Sequence, residues 1–277
     1  MKTFGLWIVA LLCLSCCSLG AKVIEGNGKL ETRSIPVATF DQIAVGISQH
    51  QGFSLFKKGI SEKQVKQFVC QYAQQNDCTL QITTDANLFD YLETSIESGK
   101  LIIRTLTNTS IRATSIRIEA TSKELTGVFM SGGFDFELTT PLQGKHLELG
   151  ASGGADINMK PAVNIESCQA NISGGADISF DNLTCTRFEG NATGGSDLDL
   201  KGQADEATFN CSGGSDVEAD DFCVKQVACN CSGGSDGYVY ATEELNASAS
   251  GGSDIYYKGN PQRFNKAATG GGSVKKR

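Results

Sequence analysis

The sequence is poor in proline, histidine and tryptophan, with 4, 2 and 1 of these among 277 residues. So few prolines leave no stiff linker to divide the chain into separate bodies. The two histidines, His50 and His146, are too few for a His-rich zinc centre and give a His-based triad little to work with. Positive charge is also short. Lysine and arginine number 24 against 31 aspartates and glutamates, for a net charge of −7. The basic residues are scattered, which argues against nucleic acid as a partner. Beyond the first 14 residues no apolar run is long enough to cross a bilayer.

That first run is itself informative. Lys2 precedes FGLWIVALLCL (4–14), a basic start and a short apolar stretch of the kind that directs secretion. Small residues at Ser18 and Gly20 suit cleavage before Ala21. Cleavage before Cys16 or Cys17, with lipid attached to that cysteine, is the competing expectation. Either way, residues 1–20 read as a signal peptide and 21–277 as the exported body, in the periplasm, at the outer-membrane surface or outside the cell. Disulfides are permitted there.

Glycine is abundant, at 32 residues, and much of it is periodic. SGGFD begins at Ser131, SGGAD at Ser152 and Ser173, TGGSD at Thr193, SGGSD at Ser212, Ser232 and Ser250, and a degenerate TGGGS at Thr269. The spacing is 18–21 residues. A fixed period of this size marks a repeat architecture. Apolar residues alternate on both sides of each copy, as in Phe209-x-Cys211 before and Val217-x-Ala219 after the turn that begins at Ser212. This is the two-residue period of a half-buried strand. The paired glycines between the arms, Gly132, Gly133, Gly153, Gly154, Gly174, Gly175, Gly194, Gly195, Gly213, Gly214, Gly233, Gly234, Gly251 and Gly252, supply the positive φ that a sharp corner needs.

A unit of strand, Gly-Gly corner, strand and return cannot bury its apolar face alone. Coils about 66 Å round, stacked at roughly 4.8 Å, bury it against their neighbours. The expectation is an all-β parallel solenoid with coils of about 20 residues, regular over 126–277. Residues 21–125 are less regular. Ser61-Glu62-Lys63-Gln64 fits a capping box before VKQFVCQYAQQ (65–75), which predicts one short helix near 62–75. Strand-like runs resume at Cys78, where the first irregular coils are expected. Three positive residues, Lys275, Lys276 and Arg277, at the last strand are expected to repel an identical strand edge.

FDQIAVG (40–46), NLFDYLETSIESGKLII (87–103) and the serial S-G-G-x-D turns together resemble the head GIN domain of auto-transporter adhesins, over roughly residues 35–274. The resemblance implies a right-handed, pectin-lyase-like β-helix without recognised catalytic residues, and a role in adhesion. The segment from about Gln49 to Asp77 departs from the family as an insertion. No coiled-coil stalk or membrane barrel accompanies it, so self-anchoring through a barrel is not expected.

Several constellations have a sharper and a plainer reading. The aspartates of the turns stack in a column, and Asp156, Asp177, Asp197, Asp216 and Asp236 are candidate calcium ligands. The plainer reading is that each accepts turn amides. The known calcium solenoid repeat has a third glycine and nine-residue spacing that are missing here. Cys229 and Cys231 suggest a metal by spacing, but they fall on inward positions of a strand. Cys70 and Cys78 are the first candidate for a disulfide, with Cys211 and Cys231, one coil apart in the same column, as a second. Asn-x-Ser/Thr motifs at Asn171, Asn191, Asn210 and Asn230 read as an asparagine ladder, because glycans on adjacent rungs would clash. The acidic pairs Asp220-Asp221 and Glu243-Glu244 are the only hint of a pectin-lyase-like carbohydrate-active enzyme, and both fall in return loops. The leading expectation is a non-enzymatic module that binds a surface ligand, glycan or protein, with no cofactor. Homo-oligomerisation is left open.

Overall fold

A computed structural model describes residues 22–49 and 68–277. The segment read as a signal peptide, Cys16 and Cys17, the expected capping box and His50 lie outside the described residues.

The chain builds a β-solenoid of about 8 turns with coils of about 20 residues. Nineteen strands join into one sheet that wraps around a single core, and Lys22–Glu25 pairs with Thr109–Arg112 as a separate two-stranded sheet. In-register parallel pairing stacks equivalent residues: Asn191 on Asn210 on Asn230, Asp197 on Asp216, Leu198 on Val217. Each regular coil has three arms. In the coil that starts at Asp197 the inward residues are Leu198 and Leu200, then Ala204, then Ala207, Phe209 and Cys211, and alternation slips between these sets. The arm that ends at a Gly-Gly corner is called the leading face below; the arm that begins at the aspartate is the trailing face.

Fully buried aromatic rings fill the widest part of the core. Phe188 lies 5.8 Å from both Phe209 and Phe222 and 6.5 Å from Phe180. Each such ring removed from water contributes about 1.5–3 kcal/mol.

The N-terminal coils stack out of chain order. Strand Gln42–Gly46 pairs on one side with Gly127–Ser131 and on the other with Lys100–Thr105. Strand Phe68–Gln74 likewise lies between Asp135–Leu138 and Ile116–Ser122. The coil 42–74 is therefore a true rung, inserted between the coil 100–122 and the first regular repeat. Gly46 is opposite Ser131 and Val69 opposite Asp135. Of the insertion expected over Gln49 to Asp77, residues 50–67 lie outside the described residues, and Phe68–Gln74 is a strand of the solenoid.

This corrects two expectations. The solenoid begins at Gln42 and not near Cys78. The helix placed at 62–75 is absent from its second half, where Phe68–Gln74 is a strand. Cys70 and Tyr72 point inward there, and Tyr72 stacks on Phe136 at 6.3 Å. Strand pairing on both edges overrides a sequence that also fits a helical period. The described helical turn is Ala86–Tyr91, of 3-10 type.

Antiparallel strands close the N-terminal end. Leu92–Glu97 pairs with Lys100–Thr105, and Leu30–Ser34 with Thr79–Asp85. Asp85 fastens this closure. Its fully buried carboxylate accepts Gly28 N–H (2.6 Å), Thr114 N–H (2.7 Å) and the Thr114 hydroxyl (2.9 Å).

Candidate functional site

Outward side chains of the leading face form three rows, the outermost running through Glu148, Gln169, Glu189 and Thr208, and the other two lie nearer the corner. In one of those two, Asn191 Nδ2 donates to Asn171 Oδ1 (3.1 Å), Asn210 to Asn191 (2.9 Å) and Asn230 to Asn210 (3.0 Å). The asparagine ladder read from the sequence is thus present. A carboxamide has two N–H donors and two acceptor lone pairs. At Asn210 the ladder uses one of each and leaves a free donor and a free acceptor; Asn191 gives its second N–H to Glu189 Oε1 (3.3 Å) and keeps only an acceptor. The other of the two is Thr193, Ser212, Ser232 and Ser250, beside the corner. A shallow, open depression of about 320 Å³ runs over both rows, lined by Asn191, Asn210, Asn230 and these hydroxyls.

The asparagine row continues toward the N-terminus as Gly150 and then Phe129. Phe129 points outward, and its ring covers Gly150 and Gly127. A Cβ on either glycine would come within 2.9 Å of the ring, so only glycine admits it. Lys100 Nζ sits 3.9 Å from the ring centroid, in reach of a cation–π contact.

The corner is capped from inside. Where the x of S-G-G-x-D is serine, its side chain is fully buried, as at Ser196, Ser215, Ser235 and Ser253. Ser215 Oγ accepts Ser212 N–H (3.1 Å) and lies within hydrogen-bond distance of the Ser212 and Ala192 carbonyls, 3.0 Å from each. Ser235 and Ser253 repeat this pattern. The sequence reading passed over this position. Its signal was there: x changes from Phe134, Ala155 and Ala176 to serine in four consecutive copies.

The aspartates line the start of the trailing face. Asp197, Asp236 and Asp254 N–H groups donate to the carboxylates of Asp177, Asp216 and Asp236, at 2.9–3.0 Å. Each carboxylate therefore binds the amide of its counterpart one coil on, not an amide of its own turn. Burial, and next the neighbouring carboxylate, hold Asp135, Asp156 and Asp197 above the ordinary carboxylate range. Among the described residues no three histidine, cysteine, aspartate or glutamate side chains converge as a metal site. The five calcium candidates form a column and not a ligand cage.

The cysteines sort by register. Cys211 and Cys231 are opposite each other, 4.8 Å apart at Cα, and are joined as a disulfide. Cys70 and Cys78 remain thiols. They lie on strands separated by Ile116–Ser122: Cys70 is opposite Ile118, and Cys78 comes just before Thr79, which is opposite Thr121. Two strand spacings of roughly 4.8 Å already exceed the reach of a disulfide, about 7 Å between Cα atoms. Cys229 lies beside the bridge, its sulfur 3.8 Å from that of Cys231. Burial pushes Cys70, Cys185 and Cys229 up to about 12, and Cys168 well above its usual value. These are packing thiols, not nucleophiles.

Candidate catalytic groups are dispersed. His146 Nδ1 lies 3.0 Å from Ser167 Oγ on an exposed surface. Asp220 pairs with Lys258 at 2.8 Å, and Glu244 with Arg263 at 2.7 Å. Lys275 and Arg277 lie over the stacked rings of Tyr256 and Tyr238 and pair with Asp254 and Asp220. The charges of the last strand are therefore partly neutralised by their own molecule.

Comparison with known proteins follows the geometry. A crystal structure described as a "putative lipid binding protein" from Parabacteroides distasonis superposes with a TM-score of 0.81 at 27% identity, over 92% of this chain and 100% of that one. One described as a "putative adhesin" from Parabacteroides merdae gives 0.80 at 24%, over 93% and 100%. A second such adhesin, from P. distasonis, gives 0.80 at 24%, over 92% and 100%. These relatives are named for adhesion or lipid binding and not for catalysis. No curated protein matches the chain. Residues 63–261 match the family described as "Putative auto-transporter adhesin, head GIN domain", and the chain belongs to that family.

Proposed function

We propose that the protein is an exported, non-enzymatic binding module that works at the cell surface as an adhesin does, with the leading face as its contact surface. One observation carries this reading. The trailing face uses its carboxylates to hold successive coils together, whereas the leading face keeps unused hydrogen-bonding groups at every rung. Such a surface recognises a partner without performing chemistry on it. Residues 1–20 direct export, and either cleavage before Ala21 or lipid attachment at Cys16 or Cys17 completes it.

The test is adhesion. Purified protein is offered to cells and to extracellular polymers, with Ser232→Arg on the leading face beside a trailing-face variant, Asp199→Arg. Loss of binding in the first alone supports the reading. Equal binding by both removes the leading face from it. Release of new reducing ends from a polysaccharide would instead establish a carbohydrate-active enzyme. Labelled fatty acid retained on the wild type and lost in Cys16→Ala or Cys17→Ala identifies the anchor.

A further inference from the structure

We propose that the leading face takes a neutral glycan chain laid along the solenoid axis, with one sugar ring stacked on Phe129. The proposal rests on the reading of that face as a contact surface and names its ligand class.

The backbone of the leading face is unavailable. Its N–H and C=O groups are committed to parallel pairing with the coils on either side. An added peptide strand needs a free sheet edge, and this face has none. Only side chains face the ligand, so the ligand must bring its own donors and acceptors at the spacing of the coils, roughly 4.8 Å. Ring hydroxyls of a sugar polymer do this.

The offered groups match hydroxyls in kind. Each asparagine keeps an acceptor, and Asn171, Asn210 and Asn230 also keep a donor, whereas Asn191 gives its second N–H to Glu189. The hydroxyls of Ser212, Ser232 and Ser250 have no protein partner among the described residues, since their hydrogen bonds run through the main chain. From Asn171 to Asn230 and from Thr193 to Ser250 neither row contains a charged residue. A polyanion gains nothing from such a track, which Glu148 and Glu189 flank on one side, whereas a neutral polyhydroxylated chain can meet both rows.

The aromatic group is a separate observation. Phe129 stands in line with the asparagine row, two rungs from Asn171. Pockets for small ligands combine aromatic side chains with a few convergent polar groups. Gly150 separates Phe129 from Asn171 in the row, and the ring itself covers that glycine. Asn171 Nδ2 therefore has no ladder partner on that side, where the ring takes the place of a side chain. Lys100, now over Phe129, has a long flexible stem and can move aside while its ammonium donates to a hydroxyl.

The experiment is calorimetric titration of the full chain with cello-, manno- and xylo-oligosaccharides of increasing length, with oligogalacturonate as the charged control. One series is expected to bind, more tightly with each added ring until the chain spans Phe129 to Asn230, and with little response to salt. Asn210→Ala and Phe129→Ala should each weaken it about fivefold, the worth of one hydrogen bond or one stacking contact. Ser232→Arg should block it while leaving the melting temperature unchanged. Three results overturn the proposal. Glycan binding that ignores all three variants places the site elsewhere. Preference for oligogalacturonate with steep salt dependence makes the site electrostatic. Cell adhesion that is lost in Ser232→Arg while no oligosaccharide binds makes the partner a protein; the contact face then survives and its ligand class fails. Absence of both adhesion and glycan binding removes the two readings together.

Discussion

Gly213 and Gly214 are neighbours in one corner, yet alanine should act on them in opposite directions. Gly213 has φ +86°, and a Cβ there would sit 3.1 Å from Gly194 O and 3.2 Å from Gly194 N. Those are backbone atoms of the coil below and cannot move aside. An L-residue in the left-handed region costs ~1–2 kcal/mol, and forced contact in a packed stack adds ~1–2 kcal/mol more. Gly214 lacks the positive φ, and its nearest atom, Gly194 O, is at 3.6 Å, an ordinary contact. Alanine there restricts the unfolded chain and stabilises by ~0.4–1 kcal/mol. The two variants should differ by roughly 2–5 kcal/mol, or on the order of 10 °C in melting temperature for a chain of this size. Gly213→Val, with a branched side chain, should be worse than Gly213→Ala. Gly174 and Gly175 supply the control, because both have positive φ, +71° and +80°, and alanine at either should destabilise. Thermal and urea melts of the four alanine variants decide it. Equal losses at 213 and 214, or a harmless Gly213→Ala, would show that the serine-capped corner is described wrongly.

Asp85→Ala should loosen the N-terminal closure by ~1–3 kcal/mol, seen as faster amide exchange at Gly28 and Thr114 with the coils around Phe209 unchanged. After unfolding without reductant, alkylation should label Cys70 and Cys78 and spare Cys211 and Cys231. Reduction of that bridge, which closes a loop of 20 residues, should cost about 3 kcal/mol in a melt. Asp156→Asn should raise the melting temperature at neutral pH. The folded state holds this carboxyl above its ordinary range, so ionised Asp156 destabilises at pH 7. The penalty is relieved as pH falls through the raised folded value, and the advantage of asparagine should fade toward about pH 4. An advantage that grows in acid would reverse the assigned sign.

The period, the alternation and the corner were legible because each recurs in every copy, and a one-residue error would turn Leu198, Phe209 and Cys211 outward together. The asparagine ladder was legible for the same reason. What recurs only in part was not. Both glycines of a pair looked alike, but in the serine-capped copies the second has an ordinary φ. Ser215 and its equivalents read as loop residues, although their hydroxyls close the turn from inside. At Phe68–Gln74 the local pattern fits two periods, and the choice is made by strands from residues 116–122 and 135–138 that no window contains. The same long-range stacking selects Cys211–Cys231 over Cys70–Cys78, whose closeness in sequence reverses in space. Phe129 breaks the outward polar pattern at a single rung, and only the contact with Gly127 and Gly150 shows what holds it.

The side-chain bonds of the asparagine ladder share one polarity, and this makes its two ends unequal. Asn191, Asn210 and Asn230 each donate to the coil before them. Asp197, Asp236 and Asp254 amides, and the Gly214 and Gly234 amides of the corners, donate in the same sense. Asn171 is the first member and only accepts. Asn171→Asp therefore keeps its one ladder bond and makes it charge-assisted, which is neutral or stabilising at neutral pH. Asn210 both donates and accepts. Asn210→Asp loses the donor to Asn191 Oδ1 and sets a carboxylate against that acceptor, at a cost of ~1–2 kcal/mol. Both side chains point outward and are half-buried, so burial does not separate them; the direction of the ladder does. Denaturant melts of the two aspartate variants, with Asn171→Leu and Asn210→Leu as uncharged references, measure the difference. If the two aspartates destabilise equally, the ladder has no fixed direction, and the free amide assigned to Asn171 disappears with it.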